Sequence, residues 1–270
     1  MFKISHNRFR PDFASALKNI PGLFAQLLYP LKCLNCGVYI DPGRVKPDTM
    51  ESCFCEHCMA HGFDPIEPPF CTKCGRQFQK GFNENHVCGA CLKKPLMLDR
   101  VRGALQYNGI IKLAIPLFKY HSKLSVSKVF EGLLFESFLR HYDDAGIDLI
   151  MPIPLHKKKI KKRGFNQAFL LIRNFVKQYQ KAFEKKPLWK IDANSLARIK
   201  KTQPQTGFDI HQRKANLKNA FKVVNPKAID NKHILLVDDV FTTGATCNEA
   251  AKPLLKQGAK KVDALVRART

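Results

Sequence analysis

Apolar residues fall along the chain in short unbroken blocks, separated by longer stretches in which they recur at helical spacing. Val101 to Tyr107 alternates loosely and predicts a strand, with Asn108-Gly109 as its turn. Ile110 to Tyr120 and Val126 to Tyr142 predict two helices, the second with Val129, Leu133, Leu134 and Phe138 on its apolar side. Asp143-Asp144-Ala145-Gly146 breaks that helix. Leu149-Ile150-Met151, within Asp148 to Pro152, predicts a new strand. A basic loop follows it, and then a helix over Gln167 to Tyr179. Ile234 to Val237 is a continuous apolar run bounded by polar residues, which predicts a strand buried on both faces. Asn248 to Lys256 predicts a helix kinked at Pro253, and Lys261 to Arg267 a last strand. These elements predict an α/β fold, a twisted parallel sheet with flanking helices from about Asp99 onward.

The region ahead of Asp99 has a different character. Ile20 to Leu31 is apolar but broken by Pro21 and Pro30, and predicts a helix over Leu23 to Tyr29. It falls short of the roughly 20 apolar residues that span a bilayer. No small-residue cleavage site follows, so no secretory signal is read. These features predict a cytoplasmic protein, with contact at the inner-membrane surface as the alternative. Four Cys-x-x-Cys pairs come next: Cys33/Cys36, Cys55/Cys58, Cys71/Cys74 and Cys88/Cys91. Such a turn aims two thiolates at one tetrahedral ion, and glycines follow at Gly37, Gly75 and Gly89. The spacing predicts structural zinc in closed four-cysteine sites, pairing 33/36 with 55/58 and 71/74 with 88/91. An interleaved pairing or a single occupied site fits the spacing too. Cys53 could replace Cys55, and His57, His61 or His86 could serve as ligands. The resulting division is an N-terminal helical segment (1–30), a zinc-binding module (31–98) and an α/β domain (99–270).

Charge adds a partner class. The 270 residues hold 46 Lys+Arg against 22 Asp+Glu, a formal net charge of +24. Such an excess favours polyanions: nucleic acid, anionic membrane surfaces or phosphorylated ligands. Its densest run is Lys157, Lys158, Lys159, Lys161, Lys162 and Arg163, between a buried strand and a helix. In open α/β sheets ligands bind at the carboxyl ends of strands, so this loop should share a crevice with the end of the Ile234–Val237 strand. There, Asp238 and Asp239 precede Thr242, Thr243, Gly244, Ala245 and Thr246. A small, hydroxyl-rich loop between strand and helix suits a phosphate, because its N–H groups form an anion nest and the helix dipole adds to it. The two acids would repel a bare phosphate. They should face ribose hydroxyls or a magnesium ion.

The stretch His233 to Thr246, read as four apolar residues, two acids, two variable residues and a Thr/Gly loop, resembles the phosphoribosyl-diphosphate (PRPP) signature of type I phosphoribosyltransferases. The resemblance implies that Asp238 and Asp239 hold the ribose hydroxyls and that Thr242 to Thr246 hold the 5′-phosphate, with Mg²⁺ accompanying PRPP. It further implies that Arg163, Gly164, Asn166 and Gln167 contact the diphosphate. Over Arg198 to Asn219 it implies a lid with Arg198, Gln203, Gln205, Arg213 and Asn216 as its polar residues. Several purine-salvage members carry an Asp general base where this chain has Thr242.

The order of motifs reaches further. Four Cys-x-x-Cys pairs are followed by P-I-P-L-H and R-G-F-N-Q, by T-Q-P-Q-T at Thr202 to Thr206, by R-K-A-N-L at Arg213 to Leu217, and by the PRPP stretch. From about Cys33 to Arg269 the chain resembles the ComF/GntX family of late-competence proteins. One departure is His121-Ser122-Lys123, where the family often has a glycine soon after Lys119-Tyr120. The resemblance implies a zinc-finger module fused to a type I phosphoribosyltransferase-like domain. It implies handling of single-stranded DNA during natural transformation, with PRPP or a related phosphate as ligand and other DNA-uptake proteins at the inner membrane as partners. The run Lys157 to Arg163 is then the DNA-binding element, beside Phe165 and Phe169. The competing expectation is an enzyme that transfers phosphoribose to an acceptor the sequence does not name.

Overall fold

The structure is a computed structural model, and it describes residues 30–46, 49–62, 64–79, 81, 83–120, 124–200 and 217–270. The expected helix over Leu23 to Tyr29 lies outside those residues. So do His121 to Lys123 and most of the expected lid, including Gln203, Gln205, Arg213 and Asn216.

Helices α1 (Glu56–Gly62) and α2 (Gly89–Lys93) belong to the cysteine-rich segment. Strand β1 (Val101–Gln106) leads into α3 (Gly109–Tyr120) and α4 (Leu124–Tyr142). After β2 (Leu149–Pro152) come three short helices, α5 (Lys157–Arg163), α6 (Gln167–Leu170) and α7 (Phe175–Phe183). Strands β3 (Lys190–Ile191), β4 (Leu196–Arg198), β5 (Phe221–Val223) and β6 (His233–Phe241), helix α8 (Ala245–Lys256) and strand β7 (Lys261–Arg269) complete the order. Five strands form one sheet in the order β1-β7-β6-β2-β3. All its neighbours are parallel, as the alternation of buried strands and helices predicts. β4 and β5 pair antiparallel as a separate small ribbon.

Three local expectations are corrected. The strand at Ile234 does not stop before the acids; β6 runs through Asp238 and Asp239 to Phe241, because β7 keeps pairing as far as Phe241 opposite Arg269. The basic stretch is not a loop. The His156 ring accepts from the Lys158 N–H at 3.3 Å, starting a helix over Lys157–Arg163 that Gly164 ends at φ +81°. Its last turn carries Lys161, Lys162 and Arg163, which suits the negative end of the helix dipole. The helix expected over Gln167 to Tyr179 is two pieces. Buried Glu131 accepts from the backbone N–H of Asn174 at 2.7 Å and from its side-chain amide at 2.9 Å. In a continuous helix that N–H would bond to Leu170 instead.

Successive β6 residues serve opposite faces of the sheet. Leu235 and Val237 join one core with Phe130, Phe138 and Phe175 from α4 and α7, and Ile234 and Leu236 join another with Ala250, Ala251 and Leu254 of α8. The cysteine-rich segment belongs to both. Cys33, Cys53, Phe54 and Cys58 pack in the first core, and Cys71, Cys74, Cys88 and Cys91 in the second. Its connection also covers the exposed edge of β1: Gln106 N–H bonds to Asp64 O at 2.8 Å, and Pro65 bridges Leu105.

Candidate functional site

The crevice lies where β6 ends and α8 begins. Gly244, at φ +74°, caps α8, and a Cβ there would collide with the Phe241 ring. A glycine is therefore required at this point. A pocket opens above it, bounded by Asp238, Val240 and the run Phe241 to Cys247. Asp238 is half-buried and faces this loop; its carboxylate accepts from the Asp239 N–H at 2.8 Å, and buried Cys247 lies 4.0 Å away. Asp239 does not line the pocket. One residue further along the strand, it turns to the opposite face, where it is ion-paired with fully buried Arg267. The Arg267 guanidinium in turn lies 4.3 Å from the centroid of the Phe130 ring. Burial weakens the hold of Arg267 on its proton, and the Asp239 carboxylate works against that loss.

One cation lies within electrostatic reach of Asp238, and others stand beside it. Half-buried Arg198, at the end of β4, is within electrostatic reach of Asp238 and stacks over Phe221. Lys159 of α5 is half-buried beside Arg198 and Arg163. Burial, then those two guanidinium groups, lower its pKa to about 8. Lys157, Lys158, Lys161 and Lys162 are exposed along the same helix. Asn166 is occupied locally: its carbonyl accepts from Ala168 N–H at 3.1 Å and its amide donates to Ile153 O at 3.1 Å, capping α6. Gln167 is buried, Phe165 packs half-buried on the first core and Phe169 is exposed. The arrangement can hold an anion at the loop and hydroxyl groups at Asp238.

The cysteines form two groups, Cys33/Cys36/Cys55/Cys58 and Cys71/Cys74/Cys88/Cys91, each with its sulfurs within 4.8 Å of one another. Four sulfurs about 2.3 Å from a tetrahedral ion would stand about 3.8 Å apart. The separations across each group are close to that: 3.6 Å for Cys36 to Cys55 and 3.8 Å for Cys74 to Cys88. The sequential pairing is the one the structure brings together. Burial opposes ionisation of Cys71, but the N–H groups of Cys74 and Cys88 donate to its sulfur at 3.4 and 3.3 Å and help hold its pKa at about 6. Asn35 donates to Cys58 at 3.1 Å. Cys53 stands outside both groups. His57 meets His61 at a tilt and His86 stacks on Phe78, and neither cysteine group includes a histidine.

Sequence reasoning did not find Arg267, Arg269 or Asn248. Arg269 donates through Nε to Cys74 O at 2.6 Å and through Nη2 to Cys74 Sγ at 3.0 Å. Asn248 accepts the Met97 N–H at 2.7 Å. The one available signal was two arginines alternating within an otherwise apolar strand, Val266 to Arg269.

A family model described as a double zinc ribbon domain matches residues 24–92. The DNA utilization protein YhgH of Salmonella typhimurium is 30% identical over 203 residues, 74% of this chain and 84% of that protein. Competence protein F of Haemophilus influenzae is 31% identical over 202 residues, 72% of this chain and 82% of that protein. Competence protein ComFC of Bacillus subtilis is 28% identical over 220 residues, covering 79% and 81%. Among solved structures, the phosphoribosylpyrophosphate synthetase of Mycobacterium smegmatis overlaps 52% of this chain and 33% of its own, with 16% identity and a TM-score of 0.29. With 30–31% identity to such relatives along most of both chains, and a double zinc ribbon match ahead of its parallel sheet, the protein belongs to the ComF/GntX family.

Proposed function

We propose that the crevice binds PRPP with Mg²⁺ and that the protein handles single-stranded DNA in natural transformation. The observation that carries the ligand reading is Asp238, turned onto the Thr242–Thr246 loop with Arg198 within electrostatic reach of it and Lys159 beside Arg198. In this reading the loop N–H groups and the α8 N-terminus hold the 5′-phosphate. Asp238 accepts from a ribose hydroxyl, and Lys159, Arg163 and Gly164 lie towards the diphosphate. Asp239, held behind the strand by Arg267, keeps the end of β6 in place. The cysteine groups would hold structural zinc, which supplies folding free energy and has no part in binding PRPP directly. The DNA reading rests on the +24 charge, the exposed lysines of α5, and relatives named for DNA utilization and competence.

The test is calorimetric titration with PRPP and Mg²⁺ at fixed salt, followed by the same protein with a single-stranded oligonucleotide. Binding of both is expected. Asp238→Asn should weaken PRPP binding by about tenfold to a hundredfold, the worth of one hydrogen bond to a charged group. Asp239→Asn should lower the melting temperature instead, because it strips the buried Arg267 of its counter-charge. Wild-type protein that ignores PRPP defeats the ligand reading. Release of pyrophosphate only when an acceptor is added would replace it with phosphoribosyl transfer.

A further inference from the structure

Two centres that look separate in sequence meet at one side chain. Arg269 is the last residue of β7 and is 5% exposed. All three of its nitrogens are engaged: Nε on Cys74 O at 2.6 Å, Nη2 on Cys74 Sγ at 3.0 Å, and Nη1 on Thr270 O. Its guanidinium also lies 5.6 Å from the centroid of the Phe241 ring, its register partner on β6, and Thr270 N–H closes onto Phe241 O at 3.1 Å. The Phe241 ring fills the space that a Cβ at Gly244 would need. A second tie runs alongside: Met97 N–H, just after the second cysteine group, bonds to Asn248 Oδ1 at 2.7 Å in the first turns of α8.

We infer that Arg269 is a positioning residue through which the Cys71/Cys74/Cys88/Cys91 centre sets the shape of the phosphate loop. The inference rests on the PRPP reading for its ligand, but not for its geometry. The donor set fits zinc, and a metal held there would fix Cys74, whose backbone oxygen and sulfur both take N–H groups of Arg269. Without the metal Cys74 can shift, and the two acceptors it offers Arg269 shift with it. Phe241 then loses the group that packs on it, and the backbone at Gly244 loses the ring that fixes it. Coupling of this kind is reciprocal: a ligand in the loop should tighten metal binding at the second centre by the factor by which the metal tightens the ligand. The first centre packs in the other core, away from the loop, and should be silent.

The experiment uses zinc-loaded full-length protein and three variants. Arg269→Gln removes the charge and the fork, Arg269→Lys keeps the charge alone, and Asn35→Ala removes the donor to Cys58 in the first centre. Zinc release to a chromophoric chelator, the affinity for PRPP with Mg²⁺, and the methyl NMR signals of Thr242, Thr243 and Thr246 are read on each. Arg269→Gln should speed release of one of the two ions, shift the threonine signals without ligand present, and weaken PRPP binding about fivefold or more. Arg269→Lys should fall between it and wild type, and it carries the test if the Gln variant does not fold. Asn35→Ala should speed release of the other ion and leave the threonine signals and PRPP affinity at wild-type values. Unmoved threonine signals in the Arg269 variants overturn the coupling, as does an equal shift in Asn35→Ala. If wild-type protein does not bind PRPP, the PRPP reading falls while the threonine signals still decide the coupling.

Discussion

Lys159 differs from its neighbours on α5. Lys157, Lys158, Lys161 and Lys162 stand in solvent, whereas Lys159 turns in beside Arg198 and Arg163 and has a pKa of about 8. Burial is the larger cause and the two arginines the smaller. A cation held this way is charged at neutral pH and becomes neutral as pH rises through about 8, so an anion that depends on it should bind less well on the alkaline side. The affinity for PRPP is expected to fall between pH 7 and 9 by up to about tenfold, the factor by which the protonated fraction of a lysine with a pKa of about 8 falls over that range. Lys159→Gln should start at the lower affinity and show no such fall. A titration series across that range, on wild type and variant, checks it. The same fall in both would assign the pH dependence to another group.

At the scale of elements, α5 carries its exposed lysines as a row, and that row is the surface for DNA in the reading above. Replacing Lys157, Lys158, Lys161 and Lys162 by Glu should weaken binding of single strands and flatten its salt dependence. Each lost phosphate contact is worth about 0.7 in the log–log slope. Zinc content should be unchanged, since these residues do not touch the cysteines. Wild-type slope and affinity in this variant would move the DNA path elsewhere. The sequence made much of this layer legible. Apolar runs at 149–151 and 234–237 marked the central strands, and the Cys-x-x-Cys spacing marked the pairing of the metal groups. His156 and Gly164 were start and stop signals for α5, but the density of lysines between them read as a solvated loop. Asp238 and Asp239 looked like one functional pair, because sequence adjacency does not show that neighbouring strand residues serve opposite faces. Arg267 was hard to read for a related reason: an arginine in the apolar stretch Val266 to Arg269 marks a buried charge, but the fold chooses its partner and the sequence does not show it.

For the whole molecule, the decisive fact is that, among the described residues, both cysteine groups pack in the cores of the sheet. Reading 31–98 as a module suggests that removing zinc loosens it and spares the sheet. The packing points the other way: Cys33 and Cys58 share a core with Leu235 and Leu265, and Cys71 and Cys74 share one with Val101 and Val266. Chelation is therefore expected to lower the melting temperature of the entire chain in one cooperative transition, because the metal's binding free energy is folding free energy for everything packed on it. Calorimetry with and without chelator checks this. Two separate transitions, with the second unmoved, would restore the independent module. Among the described residues, no helix is long and apolar enough to cross a membrane.

The strand order also has a consequence in time. β7 comes last in sequence but sits between β1 and β6, so Val101 waits for Ala264 as its neighbour. On the ribosome the sheet cannot close until residues up to Arg269 have emerged, and contacts that distant in sequence form slowly. During that wait the apolar runs of β2 and β6 have no finished sheet to enter. Cys33 to Cys91, made first and closed by short-range turns, can take up zinc while the rest is still being synthesised. Their packing still waits for β6 and β7, so early zinc would fix only the turns around the cysteines, and zinc supply during synthesis would set how soon the late strands find the surface they share with them.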